Sequence, residues 1–530
     1  MLHSQIGKTA SSEEAEEYSL ESLGHASRYA TTGLPKHKFA EEPYDARWTP
    51  ATDQPYKLVT TWMEPEAQQL INASLNKNLA DEDEYPASIY IQRQCVSMIS
   101  DLWHGTQCIG TSTVGSSEAI MLGGLAMKKR WQKKNPNTTS KPNIIMGCNA
   151  QVALEKFARY FDVEARLIPV SKNSNYVLDI DEVIKKCDQN TIGVFVILGS
   201  TYTGHFEDVK KLSEELDKLK TSKALDIPIH VDAASGGFVA PFAFPDLQWD
   251  FRVSRVVSIN ASGHKYGLSY PGVGWVVWRS KEYLPDELIF KLKYLGGEQL
   301  TYTLNFSQPS CFVIGQYYNF LRLGKRGYKQ IIENSLTNAR HLATELGNID
   351  VKSVYELYSR LEKGPAPSGN RPVLNPLPVG DPGVNYKALE IVSAVNQKDN
   401  AQKYIPCLSV VSFKFSETFK SKNPKVNQAD LSTLLRVRGW VIPNYPLPKN
   451  VQDTSVLRVV VRESFTRDLV RNLVEDTKLV IGQLLQARDG ILIDTARLTS
   501  STDWLRNVSL AGYDENNAVS ASDSYGASGI

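Results

Sequence analysis

From about residue 65 onward, the chain alternates between two hydrophobic periods. Apolar residues recur at three- and four-residue spacing over 66–79, 89–103, 117–133, 151–161, 208–221 and 311–323, the pattern of helices with one buried face. Between them lie short unbroken apolar runs: "IIMGC" from 144, "GVFVIL" from 193, "IPIHVD" from 227, "RVVSI" from 255 and "VGWVVW" from 273. A strand that shows no polar alternation is covered on both faces. The pattern therefore predicts an α/β fold with a mostly parallel sheet between layers of helix. A further long helix is expected over 327–347.

Beyond it the pattern changes. "KGPAPSGNRPVLNPLPVGDPG", residues 363–383, holds too much Pro and Gly for regular structure and reads as a surface insertion. "LSVVSFKF" (408–415), "LSTLLRVRGW" (431–440) and "VLRVVVRE" (456–463) predict strand, helix and strand of a smaller α+β module. The division expected is an N-terminal arm over 1–60, a large domain over 61–340, a small C-terminal domain over 341–490 and a flexible tail over 491–530. No internal repeat is visible.

Composition narrows the function classes. Lys plus Arg number 59 against 58 Asp plus Glu, so no overall field draws the chain to nucleic acid or to a membrane surface. Six cysteines form no CxxC pair, which argues against a disulfide framework or a zinc site, and no metal is expected. No apolar stretch approaches bilayer length and the first residues are polar and acidic, so a cytoplasmic protein is expected.

The chemistry is carried by two strand ends and a helix start. In "IPIHVDAASGGF" (227–238) a buried strand ends on Asp232, and "SINASGHKYG" (258–267) holds Lys265 among small residues at the end of the next strand. Taken alone, Asp232 reads as a cap for the following turn. A parallel sheet, however, brings both ends to one crevice, the place where α/β folds bind ligands. An acid and a lysine converging there suit pyridoxal phosphate. The lysine forms a Schiff base with the aldehyde, and the acid keeps the pyridine nitrogen protonated. "TVGSSEAIMLGG" (113–124) supplies a candidate phosphate cup, with Gly115 for close backbone approach and Ser116 and Ser117 at a helix N-terminus. The same residues also make an ordinary helix start. Ser262 and His264 stand beside the lysine as further donors.

"HVDAASGGFVAPF", "SINASGHKYGL", "GVGWVVWR", "KYLGGEQLTYTLNFSQPS" and "FLRLGKRGY" together resemble glutamate decarboxylase, the branch of pyridoxal-phosphate group II decarboxylases shared by bacteria, plants and fungi. The resemblance runs from about Thr61 to about Val480. It implies the aspartate-aminotransferase-like fold type I, active sites at a subunit interface of a homodimer or hexamer, and decarboxylation of the small-molecule substrate L-glutamate to 4-aminobutyrate. Residue by residue, it implies that Lys265 carries the cofactor and Asp232 pairs with its ring nitrogen. Ala234 and Gln151 cover the two ring faces. Ser116, Ser117, Ser262 and His264 hold the phosphate, Ser307 reaches in from a neighbouring subunit, and Thr201 lies by the ring hydroxyl or carboxylate. Arg458 meets the substrate carboxylates, Asn78 and Asp81 line the far end of the substrate, and Tyr294 sits on a loop that governs protonation. For three of these the plainer readings are an ion pair at Arg458, a helix-surface residue at Gln151 and a turn residue at Thr201.

The chain departs from the family's pattern in one place that bears on substrate. Before "VTTW" the family has a Ser/Thr-Phe pair that helps hold the distal carboxylate, and here Lys57 and Leu58 stand in those places. Leu154 replaces a common aromatic, and the basic Trp-containing stretch of calmodulin-regulated plant members is missing, so no calmodulin site is expected. Two alternatives stay open at this point: a decarboxylase of another amino acid, and a catalytically weak scaffold that keeps the fold.

Overall fold

The computed structural model describes residues 62–292, 299–363 and 385–487. Its centre is a seven-stranded sheet of β1 (Ile109–Thr113), β2 (Asn143–Gly147), β3 (Glu164–Ile168), β4 (Thr191–Ile197), β5 (Ile229–Asp232), β6 (Val256–Ser262) and β7 (Gly274–Trp278). The spatial order is β1-β7-β6-β5-β4-β2-β3. Strands β2 to β6 pair in parallel, and β7 runs antiparallel to both of its neighbours. Every residue of β2, β4, β5, β6 and β7 is buried, which is why their sequences show no alternation.

The large-sheet part carries α1 (Pro65–Asn72), α2 (Pro86–Leu102), α3 (Ser116–Lys134), α4 (Val152–Tyr160), α5 (Ile180–Lys186), α6 (Val209–Lys223) and the single turn α7 (Ala240–Ala243). Then β8 (Phe290–Leu292) and β9 (Gln299–Thr301) form a small ribbon. The long α8 (Cys311–Asn348) bends at Gly324, so the helices expected over 311–323 and 327–347 are two arms of one element. After α9 (Val351–Lys363) comes a four-stranded antiparallel sheet, β10 (Leu389–Ile391), β11 (Val410–Phe415), β12 (Asn444–Pro446) and β13 (Ser455–Val460), in the order β10-β11-β13-β12. Helices α10 (Glu417–Lys422), α11 (Gln428–Val437) and α12 (Arg467–Ala487) accompany it.

β1, β3 and α5 are among the elements that the hydrophobic pattern does not show, and one helix is shorter than it suggests. β1, "IGTST", is largely polar, and β3, "EARLI", is an edge strand with Glu164, Ala165 and Leu167 exposed. α5 is a short helix capped by Asp179, whose side chain accepts from the N–H of Asp181 and Glu182. The helix expected over 66–79 stops at Asn72. Downstream, Asn78 Oδ1 accepts from Ala80 N and from Gln308 N, and that bonding replaces the helical ladder.

Polar contacts seat the four-stranded sheet against the C-terminal ends of the parallel strands. Arg458 Nη1 donates to Thr201 O at 2.8 Å, Tyr266 OH meets Ser409 Oγ at 3.1 Å, and His205 Nε2 meets Gln397 Oε1 at 3.0 Å. Among the described residues no helix is long and apolar enough to cross a membrane, and no His, Cys, Asp or Glu cluster is placed to hold a metal.

Candidate active site

The registers of β4, β5 and β6 place Ile197, Asp232 and Asn260 side by side, so the segments that follow open onto one edge of the sheet. Asp232 is buried, and its Oδ1 accepts from Asn260 Nδ2 at 2.9 Å and from Ala234 N at 3.1 Å. The turn-capping role and the charge in the crevice thus belong to the same carboxylate. Lys265 Nζ lies 3.4 Å from Ser235 Oγ, a weak contact. Burial, helped by the charge of Arg458 and opposed by Asp232, holds its ammonium below the usual lysine range. A lysine so placed has more of the neutral, nucleophilic amine.

The candidate cup lies at the start of α3. Ser262 Oγ donates to Ser116 Oγ at 2.8 Å, tying the end of β6 to the helix N-terminus. Gly274 on β7 lets the two segments approach, because a Cβ there would lie 2.4 Å from the carbonyl carbon of Gly115 and 2.6 Å from Ser116 N. On the other side, a Cβ on Gly115 would meet nothing within 4 Å. An open space therefore sits before the first turn of a 19-residue helix, faced by Ser116 and the exposed Ser117. His264 stands at the same edge, its basicity lowered by burial and then by Lys265 and Arg462. Hydroxyls, helix N–H groups and an open volume fit a phosphate.

Other expected site residues are placed less directly. Ala234 is buried beside Asp232. Gln151 is the N-cap of α4, exposed, with Oε1 accepting from Ala153 N at 2.7 Å. Thr201 is exposed in the turn after β4, and it is its carbonyl that binds Arg458. Arg458 itself lies over the Tyr445 ring at 5.5 Å, and its Nε is buried without a hydrogen-bond partner among the described residues. Asp81 caps its own turn, its Oδ1 accepting from Asp83 N and Glu84 N. Asn78 is spent on the backbone of Gln308, next to the exposed Ser307. Tyr294, Lys57 and Leu58 fall outside the described residues.

Three residues with evident local roles carry no sequence signal of their own. Glu118, on the first turn of α3, accepts from Val114 N (2.8 Å), Leu304 N (2.9 Å), Asn305 N (3.2 Å) and Asn305 Nδ2 (3.2 Å). It joins the cup to the loop that carries Ser307. Arg462 Nη2 donates to Lys265 O at 2.9 Å. Glu207 is buried and accepts from Ile197 N (2.7 Å), Asn149 Nδ2 (2.9 Å) and Leu178 N (3.1 Å), and burial pushes its carboxyl up to about 7. Each acts through partners distant in sequence, so only the fold reveals it.

Comparison with known proteins gives the family and the fold. Residues 50–359 match the family described as "Pyridoxal-dependent decarboxylase conserved domain". The chain is 44% identical to a glutamate decarboxylase of Saccharomyces cerevisiae over 82% of this chain and 74% of that one. It is 43% identical to one of Petunia hybrida over 87% and 85% of the two chains. The solved structure of Lactobacillus brevis glutamate decarboxylase superposes with a TM-score of 0.68 at 35% identity, covering 90% of this chain and 94% of that one. The architecture is fold type I, and the cofactor of such enzymes is pyridoxal phosphate. Matched by that family over residues 50–359 and 43–44% identical to such relatives over most of its length, the chain belongs to the pyridoxal-dependent decarboxylases, carbon–carbon lyases of fold type I.

Proposed function

We propose that the chain decarboxylates L-glutamate to 4-aminobutyrate and carbon dioxide. The observation that carries the reading is the meeting of Lys265 and Asp232 on one sheet edge beside the Ser116–Ser262 pair. The choice of glutamate is supported by relatives of that name at 42–44% identity over more than four-fifths of this chain. When bound, the pyridoxal ring supplies the electron sink into which the bond between Cα and the carboxylate breaks. Lys265 Nζ is the covalent anchor, and its lowered basicity keeps it reactive. Asp232 holds a proton on the ring nitrogen. Ser116, Ser117, Ser262 and His264 take the phosphate. Ala234 and Gln151 would cover the two ring faces, while Oε1 of the latter keeps its helix cap.

Arg458 receives a substrate carboxylate. One arm of its guanidinium is anchored on Thr201 O and its Nε has no partner among the described residues, so a planar anion would find donors there. The segment of Asn78 and Asp81, held against Gln308, forms a wall for the distal end, and Tyr294 manages the proton returned to Cα. Ser307 serves the site of a second copy in a cytoplasmic homo-oligomer. Leu304 and Phe306 beside it are 45% and 40% exposed, apolar surface that a second copy would cover.

The test is carbon dioxide release by the cofactor-loaded chain on glutamate, aspartate, tyrosine and tryptophan. Glutamate is expected to be turned over fastest. Faster turnover of any other member of the panel would assign the distal end of the site to that substrate. No turnover at all would remove the enzymatic reading.

A further inference from the structure

Beneath Asp232 lies a chain of hydrogen bonds that the reaction as described does not use. Asn260 Nδ2 donates to Asp232 Oδ1 at 2.9 Å. His230 Nε2 lies 2.8 Å from Asn260 Oδ1, and His230 Nδ1 lies 2.7 Å from Ser258 Oγ. The strand register produces this, since His230 pairs with Ser258 and Asp232 with Asn260 across β5 and β6. His230, Ser258 and Asn260 are wholly inaccessible to solvent and Asp232 nearly so.

The arrangement permits only one set of proton positions. An ionised carboxylate only accepts, so the Asn260 amide must turn its NH2 to Asp232 and its oxygen to His230. His230 must then carry its proton on Nε2, and its bare Nδ1 accepts from the Ser258 hydroxyl. Every donor in the chain points toward Asp232. A neutral imidazole also leaves the carboxylate's charge undivided, and burial holds His230 neutral by lowering its pKa to about 4. The ring is fixed on two further sides. Phe195 meets it edge-on at 5.2 Å, and Gly123 of α3 packs against it so closely that a Cβ there would sit 2.5 Å from Cε1. The helix that opens the phosphate cup thus also bears on the histidine behind the ring-nitrogen acid. The charge of Asp232 in turn helps burial to raise the carboxyl of the buried Glu207.

We propose that His230 is a positioning residue for the reaction: through Asn260 it keeps the Asp232 carboxylate ionised and oriented toward the cofactor's ring nitrogen. This rests on the reading that Asp232 meets that nitrogen. His230→Leu removes the relay with little change in volume, while His230→Gln offers one donor to Asn260 and one acceptor to Ser258. In the cofactor-loaded, full-length protein, His230→Leu should lower kcat by about 10- to 100-fold, the range typical of outer-shell partners, with KM little changed. The visible absorption of the bound cofactor should shift in the same variant, because the ring nitrogen loses its proton more easily. His230→Gln should restore most of both. Parental kcat and absorption in His230→Leu, or no recovery in His230→Gln, would overturn the proposal.

A second measurement needs no folded leucine variant. With 15N-histidine labelling, the signal lost in His230→Gln should be that of a neutral ring protonated on Nε2 from pH 6 to pH 8. An Nδ1-protonated ring or an imidazolium would equally overturn the relay. Asp232→Asn, run in parallel, separates the two layers. If it keeps parental activity, the reading of Asp232 itself is wrong; if it loses activity while His230→Leu does not, only the relay is.

Discussion

Glu118→Gln should weaken cofactor binding although the side chain touches neither the cofactor nor the lysine. The carboxylate takes two hydrogen bonds on each oxygen: Val114 N and Asn305 Nδ2 on Oε2, Leu304 N and Asn305 N on Oε1. A glutamine offers one oxygen and one NH2, and the NH2 would face N–H groups. At best two of the four bonds survive, and those lose their charge. Two lost bonds to an ionised acceptor are worth about 3 to 6 kcal/mol when water cannot replace them. Here Val114 and Leu304 are 42% and 45% exposed, so water satisfies part of the loss and about 1 to 3 kcal/mol remains. Falling wholly on the order of the cup, that corresponds to about 5- to 150-fold in dissociation constant.

The assay is titration of the apo protein with pyridoxal phosphate, followed by absorbance, with circular dichroism to establish that the fold is kept. The control is the same titration with pyridoxal, which has no phosphate for the cup. The variant and the parent should then differ far less. A dissociation constant within about twofold of the parent's, in a folded variant, would refute the assignment of Glu118 to the cup. An equal loss with pyridoxal and pyridoxal phosphate would refute it too, because the damage would then lie elsewhere in the site.

Borohydride should fix the cofactor to the peptide containing Lys265, and Lys265→Ala should lose that label while still binding cofactor weakly through the cup; labelling of another lysine would move the anchor. Asp232→Asn should keep the fold and slow decarboxylation by orders of magnitude, because the sink weakens while the volume hardly changes; single-turnover rates near the parent's would count against it. For Glu207, burial raises the carboxyl from 4.5 to about 7. The folded state therefore holds a proton between these values that the unfolded state releases. Its contribution to stability is complete below pH 4.5 and declines as the pH rises through 7, by about 3 kcal/mol. Glu207→Gln, which does not ionise, should flatten the corresponding part of the denaturation free energy between pH 5 and pH 8; an unchanged slope would place the titration elsewhere.

The parts legible in the sequence are those that obey a local rule. Unbroken apolar runs announced β2, β4, β5, β6 and β7, because burial on both faces leaves no room for alternation. Asp232, alone an ordinary turn cap, stood out only together with Lys265, because a parallel sheet brings the two strand ends to one crevice. β1 and β3 escaped because one is polar and the other an edge. Glu118, Glu207 and Arg462 escaped for a different reason: their partners lie at Leu304, Leu178 and Lys265, separations that no periodicity reports. His230 is the instructive case. It reads as one more residue of a buried strand, and only the register of β5 against β6 turns it toward Ser258 and Asn260.

The same register explains how opposite charges are kept from neutralising one another within one crevice. Asp232 draws its hydrogen bonds from neutral donors, Asn260 and the Ala234 backbone, so its charge is not consumed by an ion pair. Lys265 stands near enough to feel that charge, yet its Nζ makes only a weak contact with Ser235 Oγ, and burial together with Arg458 favours its neutral form. Arg458 is in turn held by a carbonyl rather than by a carboxylate, and its Nε lacks a partner among the described residues. A structural ion pair would have quenched each of these groups. The fold satisfies them with dipoles instead, which leaves one net anion, one weakened ammonium and one unneutralised guanidinium facing the same opening. An amino acid bound through that ring can use all three. In the reading proposed above, its carboxylate would answer the arginine and its amine would take the place of the lysine, with Asp232 holding the proton that makes the ring an electron sink.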